Sequence, residues 1–321
     1  MGWRVIDVAV TNLTSPAVLA FAIALVAAQW GTSLRLPEPV AALLSTYLLL
    51  AIGIKGGMAL RDAPLGDLVA PALATVAVGV VTPIVAFAAL RRLGRLAVPE
   101  AAGIAAHYGS VSIVTFTAAS TAATAAGIEP ERFLPALVAL LEVPGIAVAL
   151  LLARSQLGGN LRGAMRDVFG GKSVVLLTAG IVIGAIAAPS AVAAVEPLFL
   201  GLFPGLLTLF LLDLGARTGE RLGDVRKAGA FLAGFALVMP MVLGSVGFAA
   251  GVAAGLSTGG VAVLAVMAAS ASYIAAPAAV RIALPASNPA LGLTAALGVT
   301  FPFNLIVGIP LALWAAKVVV G

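Results

Sequence analysis

The sequence predicts an all-α polytopic membrane protein: ten transmembrane helices in two inverted five-helix repeats, with helices 4 and 9 broken. Three observations carry this. Of the 321 residues, 62% are hydrophobic and only 10% charged, whereas soluble domains carry about 25% charged residues. Apolar runs of bilayer-spanning length recur from end to end, without the short apolar–polar alternation of a membrane barrel. Two interruptions rich in small and hydroxyl residues, Gly109-Ser-Val-Ser112 and Ser270-Ala-Ser272, stand at matching places in the two halves. The absence of cysteine excludes disulfides, thiolate catalysis and cysteine metal sites. The formal charge of +5 is concentrated in loops, which fits membrane orientation and not nucleic-acid binding.

The expected spans run roughly over 14–33, 39–60, 67–90, 98–124, 133–153, 174–194, 197–216, 228–250, 259–283 and 290–317. Trp3, Arg4 and Asp7 precede the first without a signal-peptidase site, so Met1 to Gly321 is read as the mature chain. Span 2 ends in Ile54-Lys-Gly-Gly-Met-Ala-Leu-Arg61, echoed by Leu214-Gly-Ala-Arg-Thr-Gly-Glu-Arg221 at the end of span 7. Gly66-Asp67 and Gly223-Asp224 open spans 3 and 8, with both aspartates expected as helix caps. Pro83 and Pro240 interrupt those two spans at the same spacing. Glu129-Pro130 and Asn288-Pro289 precede spans 5 and 10, and within these Glu142-Val-Pro-Gly145 answers Thr300-Phe-Pro-Phe303. The pairings share an offset of about 157–162 residues, which supports a repeat. The first repeat is then 1–157, the second 173–321, and 158–172 a basic cytoplasmic linker.

Orientation follows from the lysines and arginines. One side holds Arg35, Arg91, Arg92, Arg95, Arg154, Arg162, Arg166, Lys172, Arg217, Arg221, Arg226, Lys227 and Arg281; the other holds Arg4, Lys55, Arg61, Arg132 and Lys317. The richer side is cytoplasmic, which puts both termini outside. Five spans per half then force the second half to enter from the opposite side.

At each interruption glycine permits a break, and serine favours a helix N-cap over a helix interior. A helix restarting inside the membrane presents free N–H groups and the positive end of its dipole. Two such ends meeting form an anion site without lysine or arginine; the competing reading is that small residues only let helices pack closely. Glu142, mid-span, is open to three readings: a Na⁺ ligand, a proton relay, or a carboxylate bonded to neighbouring backbone. Thr300 and Asn304 are its uncharged oxygen-bearing counterparts, and Thr115 joins them as a candidate Na⁺ ligand. Asp213 is either intramembrane or interfacial. His107 could shuttle protons or serve as a bonded structural residue. Tyr108 and Tyr273, beside the two breaks, either line a pocket or fill space. No Walker loop, metal cluster or nucleophile elbow is present, which argues against an ATPase or a membrane enzyme.

His107-Tyr-Gly-Ser-Val-Ser112, the segment Ala269–Arg281 with its Ser-Ala-Ser-Tyr-Ile-Ala-Ala-Pro core, and Thr300–Pro310 together resemble the sodium-dependent bicarbonate transporter family known from cyanobacteria. Gly56-Gly-Met-Ala-Leu-Arg61 and Glu142-Val-Pro144 extend the resemblance over nearly the whole chain. It implies a core domain moving against a gate domain, a homotrimer in the cell's inner (plasma) membrane, and Na⁺-coupled bicarbonate uptake with no cofactor besides the coupling ion. It also implies control by a PII-like protein at the cytoplasmic face. Carried over by position, Gly109, Ser110 and Ser112 with Ser270, Ala271 and Ser272 surround the anion, and Val111 and Tyr273 complete that set. A proton-coupled carrier of a small organic acid, relayed by Glu142 or His107, is the alternative.

Overall fold

The structure, a computed structural model, describes residues 14–157, 170–227, 229–273 and 275–321. The Trp3–Asp7 stretch and most of the basic linker, with Arg162 and Arg166, fall outside it, as do the side chains of Arg221, Asp224, Arg226, Lys227 and Arg281. Among the described residues every regular element is helical. In the bilayer an α-helix satisfies its own backbone polar groups, and these apolar segments have that option.

The first half contains α1 (Pro16–Gln29), α2 (Glu38–Asp62), α3 (Leu65–Arg92), α4 (Val98–Gly109), α5 (Ile113–Ala125) and α6 (Leu134–Leu157). The second contains α7 (Lys172–Ile186), α8 (Pro189–Glu196), α9 (Phe203–Lys227), α10 (Ala230–Ala253), α11 (Thr258–Ala269) and α12 (Ala275–Ala283). A last rod is made of α13 (Pro289–Leu293), α14 (Phe301–Phe303) and α15 (Ile309–Val319), joined by π-helical segments Thr294–Thr300 and Asn304–Gly308. Six of the described helices are long and apolar enough to cross a membrane.

Several expected boundaries move. The sixth apolar run was expected to 194, but α7 stops at Ile186. Pro189 holds Ala188 extended (φ −56°, ψ 139°) and then starts α8 at its first turn. A π turn over Pro197–Gly201 carries α8 into α9, so the seventh span begins earlier than expected. Gly223-Asp224, expected to open span 8, lies within α9. The next helix starts only after Gly229, whose φ of 89° favours glycine. Asp67 does not cap α3 either: the N-cap is Pro64, and Asp67 sits in the first turn, where it acts on the helix dipole.

Glycines set the tightest packing. A Cβ at Gly53 or Gly57 of α2 would strike the backbone of α7, and one at Gly180 or Gly184 of α7 would strike α2. A Cβ at Gly215 or Gly219 of α9 would likewise strike α1 near Phe21 and Leu25. These small-xxx-small faces let backbones touch where lipid offers no hydrophobic drive to associate. A second body of buried apolar residues, drawn from α3, α4, α6, α10, α12 and the last rod, packs around Tyr108, Leu90 and Leu150.

Candidate functional site

Both interruptions are non-helical. α4 ends at Gly109, Ser110 is extended (φ −108°, ψ 145°), and Ser112 caps α5 by accepting the Thr115 amide at 3.2 Å. α11 ends at Ala269, Ser270 is extended (φ −82°, ψ 165°), and Ser272 Oγ accepts the Ala276 amide of α12 at 3.3 Å. Serine makes each restart possible because its hydroxyl replaces a partner that the missing turn would have supplied.

The two breaks bond to each other. The Ser112 amide donates to Ser270 Oγ at 2.9 Å, and the Ser272 amide donates to the His107 carbonyl at 2.7 Å. His107 Nδ1 lies 2.6 Å from the Ser272 carbonyl oxygen, so the only histidine ties one break to the other. That gives it a bonded structural position. Gly109 and Gly145 let α4 and α6 meet at backbone distance here: a Cβ on Gly145 would overlap the Gly109 carbonyl.

Between the two restarts lies a cavity of about 10 Å³ lined by Val111, Ser112, Ile113, Glu142, Ser272, Tyr273 and Ala275. It has room for one water-sized occupant. Glu142 is 1% exposed, and its Oε2 has no partner among the described residues. The reading of Glu142 as a carboxylate bonded to nearby backbone therefore does not describe that oxygen. Ser110 Oγ is also buried and unpartnered, although Ser110 does not line the cavity. The amides of Ile113 and Val114, first in α5, find no protein partner among the described residues. The chemistry assembled is one buried carboxylate, two serines and two helix starts.

The four candidate Na⁺ ligands are not gathered equally. Thr115 Oγ1 donates to Ser112 Oγ at 2.9 Å, next to the cavity. Thr300 Oγ1 is occupied: it donates to the Ala236 carbonyl and meets Tyr108 Oη, each at 2.7 Å. Asn304 Nδ2 donates to the Ala269 carbonyl at 2.9 Å, steadying the end of α11, and its Oδ1 is unpartnered. Thr300 and Asn304 stand in or beside π-helical turns, which frequently mark functional sites. Ala271 is buried in the second break, and Tyr273 packs edge-on against Phe301 at 5.5 Å. Phe301 in turn meets Phe21 of α1 at 5.1 Å.

Asp213, left between two placements by the sequence, is 1% exposed. It accepts from Arg217 at 2.6 Å and from the Leu36 amide at 2.9 Å, holding the α1–α2 connection onto α9. Sequence reasoning gave Lys55 no role beyond its charge. Yet it lines a second, much larger cavity from within α2, and its place inside an apolar span was the available signal.

A protein-family model described as the Na⁺-dependent bicarbonate transporter superfamily matches residues 16–317. No curated protein matches the chain.

Proposed function

The chain belongs to the Na⁺-dependent bicarbonate transporter superfamily, so it is a multi-pass membrane transporter and not an enzyme, and we propose that it couples Na⁺ to the uptake of a small inorganic anion, bicarbonate. The observation that carries this reading is the partnerless carboxylate oxygen of Glu142 beside two facing helix starts. An ionised Glu142 and a monoanion in one small cavity repel each other strongly, because little water screens them. A cation held by Glu142 and the neighbouring Ser112, Thr115 or Ser272 oxygens reverses that sign. Oxygen ligands of this kind suit a hard cation. Each ion then favours the other, which is what obligatory symport requires. Gly109, Ser110, Val111, Ser112, Ser270, Ala271, Ser272 and Tyr273 are the proposed anion surround, with amides and hydroxyls as donors. Thr115, Glu142, Thr300 and Asn304 are the proposed Na⁺ ligands, Thr300 and Asn304 on condition that they exchange present bonds. No further cofactor is invoked.

Bicarbonate, with four heavy atoms, needs more space than this cavity holds, so the breaks must part to admit it. We assign that motion to a core of α3–α6 and α10–α15 rocking against a gate of α1, α2 and α7–α9. The ten spans, the inverted repeats 1–157 and 173–321, and the cytoplasmic linker 158–172 belong to the same proposal. So do the homotrimer, the inner-membrane location with both termini outside, and a PII-like regulator at the cytoplasmic face.

Purified protein in liposomes tests it with labelled bicarbonate. An inward Na⁺ gradient is expected to drive accumulation, and Glu142→Gln to abolish the dependence on Na⁺. Uptake indifferent to Na⁺ in the unaltered protein removes the coupling. The same unpartnered Glu142 also suits a proton carrier for a small organic acid; accumulation driven by a pH gradient alone would favour that second reading.

A further inference from the structure

On the side of the α5–α6 connection, a cavity of about 720 Å³ opens between α2, α5, the start of α6 and the α8–α9 turn. Its volume is that of a ligand pocket. One wall is a ladder of hydroxyls on a single face of α5: Thr117, Ser120, Thr121 and Thr124, spaced three and four residues apart as helix neighbours are. Phe116 marks its deep end, one turn beyond Ser112, so the ladder leads from the mouth toward the break. Opposite stands Lys55, seven residues before the end of α2 and exposed to the cavity.

Lys55 has no carboxylate partner among the described residues. Arg132 and three acids also line the cavity; the acids keep their charge, but each has another bonded partner, Glu131 through one oxygen only. Asp62 pairs with Arg61 at 3.1 Å, Glu129 accepts from Thr124 at 3.3 Å, and Glu131 accepts from the Ser257 amide at 2.5 Å. The hydroxyls of Ser120 and Thr121 likewise have no partner among the described residues. An ammonium inside an apolar span is costly and faces a water-filled space or a partner. Here it faces the hydroxyl wall.

We propose that Lys55 and the hydroxyl face of α5 form a waiting site for a small hydrated monoanion on the way to the break. The ammonium raises the local anion concentration, and Ser120 and Thr121 replace part of its water as it descends. Low-dielectric walls screen the ammonium less than bulk water does, so it biases the approach of an anion even though Arg132 and three carboxylates share the mouth. The proposal takes its purpose from the transport reading, but its test does not depend on it.

The chain has no cysteine, so Thr121→Cys supplies a unique thiol in the full-length protein in liposomes. Its modification rates by an anionic and by a cationic methanethiosulfonate are compared, alone and combined with Lys55→Gln or Lys55→Arg. The anionic-to-cationic rate ratio is expected to fall roughly fivefold with Lys55→Gln, the factor for about 1 kcal/mol of charge attraction. It is expected to survive Lys55→Arg. A ratio unchanged by Lys55→Gln overturns the proposal, and so does a thiol at position 121, and at 120 in the Ser120→Cys variant, that neither reagent reaches. Bicarbonate uptake, run in parallel, reports separately on the transport reading: a protein that fails there can still show the charge preference at the thiol.

Discussion

Gly145 lies so close to Gly109 that a single methyl group on it would overlap the Gly109 carbonyl. The contact fixes where α4 ends relative to α6, and so where Glu142, three residues earlier on α6, stands against the break. Overpacking a tight interior contact costs about 1–3 kcal/mol. Gly145→Ala is therefore expected to lower the melting temperature in detergent and to cut uptake together with it. Gly234→Ala on α10 is the matching control. Nothing lies within 4 Å of the Cβ it adds, and helix propensity favours alanine by roughly 1 kcal/mol, so stability should hold or rise. Equal melting temperatures for Gly145→Ala and the unaltered protein would show that the contact does not set the site. Of the candidate site's residues, Ser112 and Ser272 were legible as caps because capping is local chemistry: a hydroxyl three or four residues before an amide needs no tertiary information. The engagement of Thr300 by Tyr108 and Ala236 was not legible, because those partners are distant in sequence and meet only through packing.

The pairs α2 with α7 and α1 with α9 are built alike, with glycines four apart pressing onto the partner's backbone. In lipid such contacts hold helices together by close packing, and a larger side chain forces them apart. Gly184→Leu should therefore separate α7 from α2, seen as a lower melting temperature and faster proteolysis at the α7–α8 connection. Gly66→Leu on α3, with open space around it, should change neither; a Gly184→Leu protein as stable as the parent would mean that the pair is held elsewhere. At this scale the sequence showed where apolar runs lie but misplaced the joint between the sixth and seventh. Ala187 and Ala188 are as apolar as their neighbours, so hydropathy runs through them. It is Pro189 that turns the backbone. The opposite error occurred at Gly223-Asp224, where the pair suggested the start of the next helix and the chain is still within α9, which runs to Lys227.

Across the whole molecule the partnerships cross between halves: α1 of the first half packs on α9 of the second, and α7 of the second packs on α2 of the first. An exchange of this kind is what inverted copies sharing one gate would produce, and it joins α1, α2, α7 and α9 into a unit. The connection before α2 is fastened to that unit too. Glu38 pairs with Arg217 at 3.0 Å and Arg35 with Glu220 at 3.2 Å. Exposed pairs of this sort stabilise little, but the buried Asp213 beneath them adds a bond to the Leu36 amide at 2.9 Å. If transport is rocking of gate against core, then α2 must slide along α6. A Cβ at Gly56 would lie 3.2 Å from Pro135 Cβ, near the separation of about 3.5–4.5 Å that a disulfide spans. Gly56→Cys with Pro135→Cys in this cysteine-free chain should form a bond on oxidation with little backbone movement. Oxidised protein is expected to stay folded, to bind but not accumulate labelled bicarbonate, and to recover uptake when the disulfide is reduced. Undiminished uptake through a fully formed crosslink would mean that α2 and α6 travel together, and the division between moving bodies would have to be redrawn.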